Sequence, residues 1–137
     1  MDDRFARDPA LETGVEQVDS QHRRLFALAS TLSTCSLDES CDEDTITDAI
    51  YSLTEYVTEH FADEEALMSQ ASYPGLGPHR SRHEQLTADT MRFVARFFNG
   101  ERVAAEELSE FVAQWLTTHI ERDDKVFAAW LREQQRP

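Results

Sequence analysis

The chemistry in this sequence is concentrated in its histidines. There are five, His22, His60, His79, His83 and His119, in a chain of 137 residues. Neutral imidazole is the commonest side-chain ligand for a metal ion, and it titrates near neutral pH. His79 and His83 stand four residues apart, and His60 stands four before Glu64, so each pair shares one face if its segment is helical. Asp123 and Asp124 follow His119 by four and five residues. On an ideal α-helix the first lies about 40° and the second about 140° from the histidine. Helix geometry therefore slightly favours Asp123, and spacing alone leaves the choice open.

Five imidazoles with Glu64 and one of the two aspartates are too many donors for one tetrahedral zinc. They suit two six-coordinate irons. Of the twelve positions of two octahedra, five go to histidines, two bridging carboxylates fill four, and one bridging oxygen fills two. A single position stays open for a small ligand. The ferritin-like alternative requires two Glu-x-x-His motifs. None is present, and Asp19-Ser20-Gln21-His22 is only a distant variant, which disfavours a ferroxidase or oxygenase of that type.

Such a set must be carried on several helices, and the apolar periodicity supplies four. The inward stripes step by threes and fours. They read Val18, His22, Leu25, Ala29, Leu32; then Ile46, Ile50, Leu53, Val57, His60, Glu64, Leu67; then His79, His83, Leu86, Thr90, Phe93, Phe97; then Leu108, Val112, Trp115, His119. All five histidines fall on these stripes, and every helix supplies at least one. Predicted helices span about 19–35, 45–69, 78–98 and 103–132, after an arm over about 1–17 that contains Pro9 and Gly14. Asp19 or Ser20 would cap the first helix. Tyr73-Pro74-Gly75 breaks the chain before the third, and Asn99-Gly100 stops that helix. The expected fold is all-α, an antiparallel up-down-up-down four-helix bundle with an N-terminal arm, in one domain over 1–137.

The bulk numbers agree with this. Hydrophobic residues make up 40% and charged residues 29%, and there are only four glycines and four prolines, which suits helices with short loops. A formal net charge of -14 repels phosphate backbones, so no nucleic-acid partner is expected. No apolar run follows the acidic start Met1-Asp2-Asp3, and no stretch approaches the length of a membrane span, so the expected location is cytoplasmic with no membrane partner. Cys35 and Cys41 lie in an acidic, polar segment without a nearby histidine and read as two free, exposed thiols, with a disulfide or redox pair as the alternative.

The motifs resemble the hemerythrin and bacteriohemerythrin family. The matching runs are Gly14-Val15 with Val18-Asp19-Ser20-Gln21-His22 and Leu25-Phe26; His60-Phe61-Ala62-Asp63-Glu64-Glu65; Tyr73-Pro74; His79-x-x-x-His83; and Trp115-Leu116-x-x-His119-Ile120-x-x-x-Asp124. The resemblance runs from about residue 7 to residue 127. It implies that His79, His83 and His119 bind one iron, that His22 and His60 bind the other, and that Glu64 and Asp124 bridge them. It thereby selects Asp124 over Asp123. The implied cofactor is a pair of iron ions, Fe2+ or Fe3+, joined by an oxo or hydroxo bridge. The implied ligand is dioxygen, bound reversibly for storage, delivery or sensing. Leu25, Phe61, Trp115, Leu116 and Ile120 would wall the open position. Two departures from the family stand out: Arg7 replaces a frequent tryptophan of the arm, and Phe127 replaces a tyrosine of some relatives. The alternatives are a di-iron enzyme acting on peroxide or nitric oxide, and an oxygen- or redox-sensing input module with a protein partner that the sequence does not identify.

Overall fold

The computed structural model describes residues 11–37 and 41–135. Five helices follow one another: α1 (Glu16–Leu37), α2 (Glu43–Gln70), α3 (Leu76–Phe98), α4 (Val103–His119) and, after a π-helical turn over Ile120–Asp124, α5 (Lys125–Gln134). In space α1 packs on α2 and α4, and α3 packs on α2 and α4, closing a four-helix ring. The fourth rod is α4, the π turn and α5 in continuation. There is no strand, and no helix is long and apolar enough to cross a membrane, among the described residues.

Local signals explain the ends. Asp42 caps α2 by accepting from the Thr45 amide at 2.8 Å. At the end of α3, Gly100 takes φ +100°. Its N–H donates to the Phe97 carbonyl at 3.0 Å and the Glu101 N–H to the Arg96 carbonyl at 3.1 Å, a Schellman closure that favours glycine there.

The start of α1 differs from the expected cap at Asp19 or Ser20. The helix begins three residues earlier, at Glu16, so the end of the expected arm is helical. The Asp19 carboxylate reaches backwards and accepts from the Thr13 amide (2.8 Å), the Thr13 hydroxyl (2.7 Å) and the Gly14 amide (3.0 Å). Arg132 of α5 donates to the Thr13 carbonyl at 2.8 Å. The root of the arm is thus pinned to both ends of the chain. Arg7 lies outside the described residues.

Two further expectations are corrected. Cys35 and Cys41 are joined in a disulfide, with Cα atoms 5.6 Å apart. Cys35 continues the buried stripe of α1, three residues beyond Leu32, and is itself buried. Cys41 directly precedes the Asp42 cap of α2 and lies six residues after Cys35. On α2 the buried residue after Glu64 is Met68, and Leu67 is half-buried.

The antiparallel order has one consequence for function. His22 lies early in α1, His60 and Glu64 late in α2, His79 and His83 early in α3, and His119 at the end of α4. Alternating direction brings all of these to the same end of the bundle. The other end is an apolar plug including Leu32, Ile46, Ile50, Leu53, Phe97 and Leu108. Each such side chain contributes roughly 1.5–3 kcal/mol when fully buried, and this plug anchors the helices that present the polar end.

Candidate metal centre

The five histidines, Glu64 and Asp124 are all buried and meet in one cluster. Their ligand atoms fall into two groups, each with atoms within 4.8 Å of one another: Glu64, His79, His83 and His119; and His22, His60, Glu64 and Asp124. Glu64 belongs to both. Its Oε1 is 2.5 Å from His79 Nε2, 3.1 Å from His83 Nε2 and 3.5 Å from His119 Nε2. Its Oε2 is 3.4 Å from His60 Nε2 and 3.9 Å from His22 Nε2. Asp124 is divided in the same way: Oδ1 is 3.4 Å from His79 Nε2 and 3.2 Å from His119 Nε2, and Oδ2 is 3.0 Å from His22 Nε2.

The π turn explains why Asp124 reaches this cluster. Its hydrogen bonding advances by five residues, as in the bond from Lys125 N–H to the Ile120 carbonyl. Each turn therefore takes more residues than in an α-helix, and the residue five after His119 comes round to the histidine's own side. Asp123 is not lost from the site. It moves to the outer face of His119, which donates from Nδ1 to Asp123 Oδ2 at 2.9 Å.

Two other imidazoles are held in the same manner. His60 donates from Nδ1 to Gln21 Oε1 at 2.8 Å, and Gln21 in turn donates to Asp63 Oδ2 at 2.7 Å. His83 donates from Nδ1 to Glu65 Oε2 at 2.9 Å, and Glu65 is paired with Arg80 at 2.9 Å. With the proton assigned to Nδ1, Nε2 presents its lone pair to the interior, and such outer partners fix ring orientation and raise ligand basicity. The sequence reading missed Gln21, Glu65 and the outer role of Asp123. The available signal was a polar residue beside, or one turn from, each histidine or its neighbouring carboxylate.

The donor set fits metal ions. His83 Nε2 and His119 Nε2 face each other at 3.0 Å while both Nδ1 atoms donate outward to carboxylates. Two lone pairs so placed repel unless a proton or cation lies between them. Both nitrogens of His22, Nε2 of His60, Oε2 of Glu64 and both oxygens of Asp124 are buried without a hydrogen-bond partner among the described residues. Leaving so many buried polar atoms unpaired is costly, at about 1–3 kcal/mol each, and cations at the focus of both groups would satisfy one nitrogen of His22, Nε2 of His60 and the carboxylate oxygens together.

Electrostatics of the metal-free cluster point the same way. Burial acts on His60 first and lowers its pKa to about 4, against the pull of Glu64. Burial also disfavours the charge on His119, but its hydrogen bond to Asp123 and the nearby Asp124 and Glu64 carboxylates outweigh it and raise that histidine to about 11. Glu64 resists its own burial through bonds with His119, His79 and His83, which hold it well below the usual carboxylate range. Without metal, the Glu64 carboxylate is held ionised in the interior by the imidazoles around it.

Leu25, Phe61, Trp115, Leu116 and Ile120 are buried members of one apolar cluster. Phe61 stacks on His83 with ring centroids 4.0 Å apart and lies 5.5 Å from Trp115. Trp115 is 6.3 Å from His119.

Comparison with known proteins accords with this geometry. The family model described as the hemerythrin HHE cation binding domain matches residues 13–131. A bacteriohemerythrin of Stenotrophomonas maltophilia (strain R551-3) is 31% identical over 118 residues, spanning 86% of this chain and 75% of that protein. One from Methylococcus capsulatus (strain ATCC 33009 / NCIMB 11132 / Bath) is 28% identical over 119 residues, spanning 87% of this chain and 89% of the relative. The crystal structure of wild-type hemerythrin superposes with a TM-score of 0.75 at 25% identity, covering 92% of this chain and 96% of that one. The chain belongs to the hemerythrin HHE cation-binding family.

Proposed function

We propose that the protein binds dioxygen reversibly at a pair of iron ions joined by an oxo or hydroxo bridge. His79, His83 and His119 hold one ion, His22 and His60 hold the other, and Glu64 and Asp124 span both. The observation that carries this reading is the division of the two carboxylates. Each turns one oxygen toward the group containing His79 and His119 and the other toward the group containing His22. A carboxylate so placed suits two cations better than one. When bound, the ferrous pair supplies the electrons that allow dioxygen to be held and released.

The chain's own residues favour binding over turnover. Leu25, Phe61, Trp115, Leu116 and Ile120 exclude water from the neighbourhood of the cluster. All five histidines are committed to the cluster, so none remains as a general acid for peroxide cleavage. Gln21, Glu65 and Asp123 keep three imidazoles oriented with Nε2 inward. The whole of 1–137 is read as one domain carrying this activity.

The test is metal analysis after anaerobic reconstitution with ferrous salt. The reading requires two irons per chain, retained after gel filtration. A reproducible value near one, or preferential uptake of zinc from an iron–zinc mixture under the same conditions, contradicts it.

A further inference from the structure

Between α3 and α4 lies an open groove of about 620 Å³, outside the cluster of ligand atoms but adjoining it at His119 and Asp123. Leu86, Phe111 and Trp115 give this groove apolar surface, and Arg82 and Arg122 give it two guanidinium groups. Asp123 lines the same groove and offsets one of these charges, which leaves the lining net positive in a chain of net charge -14. Arg82 uses one of its donors, Nη1, on Asp123 Oδ1 at 2.9 Å, and its side chain is 55% exposed. A guanidinium has five N–H groups in a planar fork, so Arg82 retains donors for a second carboxylate. Arg122 is exposed and has no acidic partner among the described residues. Trp115 is only 6% exposed, and its indole N–H is buried with no acceptor among the described residues.

We propose that this groove is a binding site for a small aromatic carboxylate. The ring of the ligand lies on Leu86, Phe111 and Trp115, and its carboxylate pairs with Arg122 and with the free donors of Arg82. A bare inorganic anion would meet the guanidinia and leave the apolar surface wet. A neutral aromatic amide would meet the surface and leave the charges unanswered. The groove suits a ligand with both halves.

The experiment is isothermal titration calorimetry of the metal-loaded full chain with benzoate, benzamide and inorganic phosphate. One benzoate binds per chain, and benzamide and phosphate each bind about tenfold more weakly or worse, because charge-assisted bonds and ring burial are each lost in turn. Arg122→Gln, a change at an exposed position, weakens benzoate by about tenfold and leaves metal content unchanged. Failure of benzoate to saturate, equal binding of benzamide, phosphate binding as tightly as benzoate (an adventitious anion patch only), or an unaltered benzoate affinity in Arg122→Gln overturns the proposal. Metal content measured on the same samples reports separately on the reading of the centre.

Discussion

Asp123 and Asp124 are neighbours in the chain and flank opposite nitrogens of one imidazole. Asp123 Oδ2 lies 2.9 Å from His119 Nδ1, and Asp124 Oδ1 lies 3.2 Å from His119 Nε2. The π turn makes this possible by bringing the five-residue step inward and leaving the four-residue step outside. The two carboxylates therefore have different expected phenotypes. Asp124→Asn should abolish loading of two irons. Asp123→Asn should keep the stoichiometry and weaken retention by about 10–100-fold, the usual cost of losing a partner behind a ligating histidine. Competition with a chelator, followed by metal analysis, measures both. Loss of the centre in Asp123→Asn with retention in Asp124→Asn would reverse the assignment.

The metal-free protein should lose stability in mild acid because of His60. Its folded pKa is lowered to about 4 by burial, so between about 6.5 and 4 the unfolded chain takes up a proton that the folded chain refuses. The sign is destabilisation as pH falls through that window, by up to about 3 kcal/mol. His119 behaves oppositely. Its pKa is raised to about 11, so its contribution is complete below about 6.5 and is lost as pH rises toward 11. Urea denaturation of metal-free protein at a series of pH values checks this. Stability that does not change between pH 6.5 and 4 would contradict the role given to His60.

Much of this site was legible in the sequence because its ligands obey helical periodicity. His60 and Glu64, and His79 and His83, are four apart and continue apolar stripes, so helices and inward faces could be read together. Asp124 could not be placed that way. The π turn that carries it leaves no pattern in Ile120-Glu121-Arg122-Asp123-Asp124, and only the family resemblance selected it. The outer partners were illegible for a related reason. Gln21 and Glu65 look like ordinary surface residues until the neighbouring helices bring His60 and His83 against them.

The disulfide shows a third kind of limit. A polar, acidic context suggested exposed thiols, yet Cys35 lies on the buried side of α1 and is bonded to Cys41. The closed loop is short, with the two residues six apart in sequence. Its removal should cost about 2 kcal/mol by the chain-entropy account. The double variant Cys35→Ser/Cys41→Ser should show that loss in urea denaturation while binding as much iron as the parent. A drop in iron content would mean that the α1–α2 connection influences the centre at the opposite end.

Asp19 should be a stability residue and not a ligand. Its carboxylate is buried, a cost that bonds from Thr13 and Gly14 outweigh, so its pKa is lowered. A depressed carboxylate pKa contributes stability above its unfolded value of about 3.9 that is lost as pH falls through the folded pKa. Asp19→Ala removes the acceptor from three donors and should destabilise the fold by about 2–3 kcal/mol without changing metal stoichiometry. Denaturation combined with metal analysis separates the two effects. A full loss of iron in a variant that remains folded would place Asp19 in the centre itself.

Oxygen titration of the anaerobic ferrous protein tests reversible dioxygen binding most directly. Uptake measured with an oxygen electrode, alongside visible absorption, should saturate at one dioxygen per two irons. The oxygenated spectrum should disappear when the gas phase is exchanged for argon, and it should return on re-exposure over several cycles. Absence of uptake, or consumption of oxygen that leaves a permanently oxidised spectrum after the first exposure, would contradict the account.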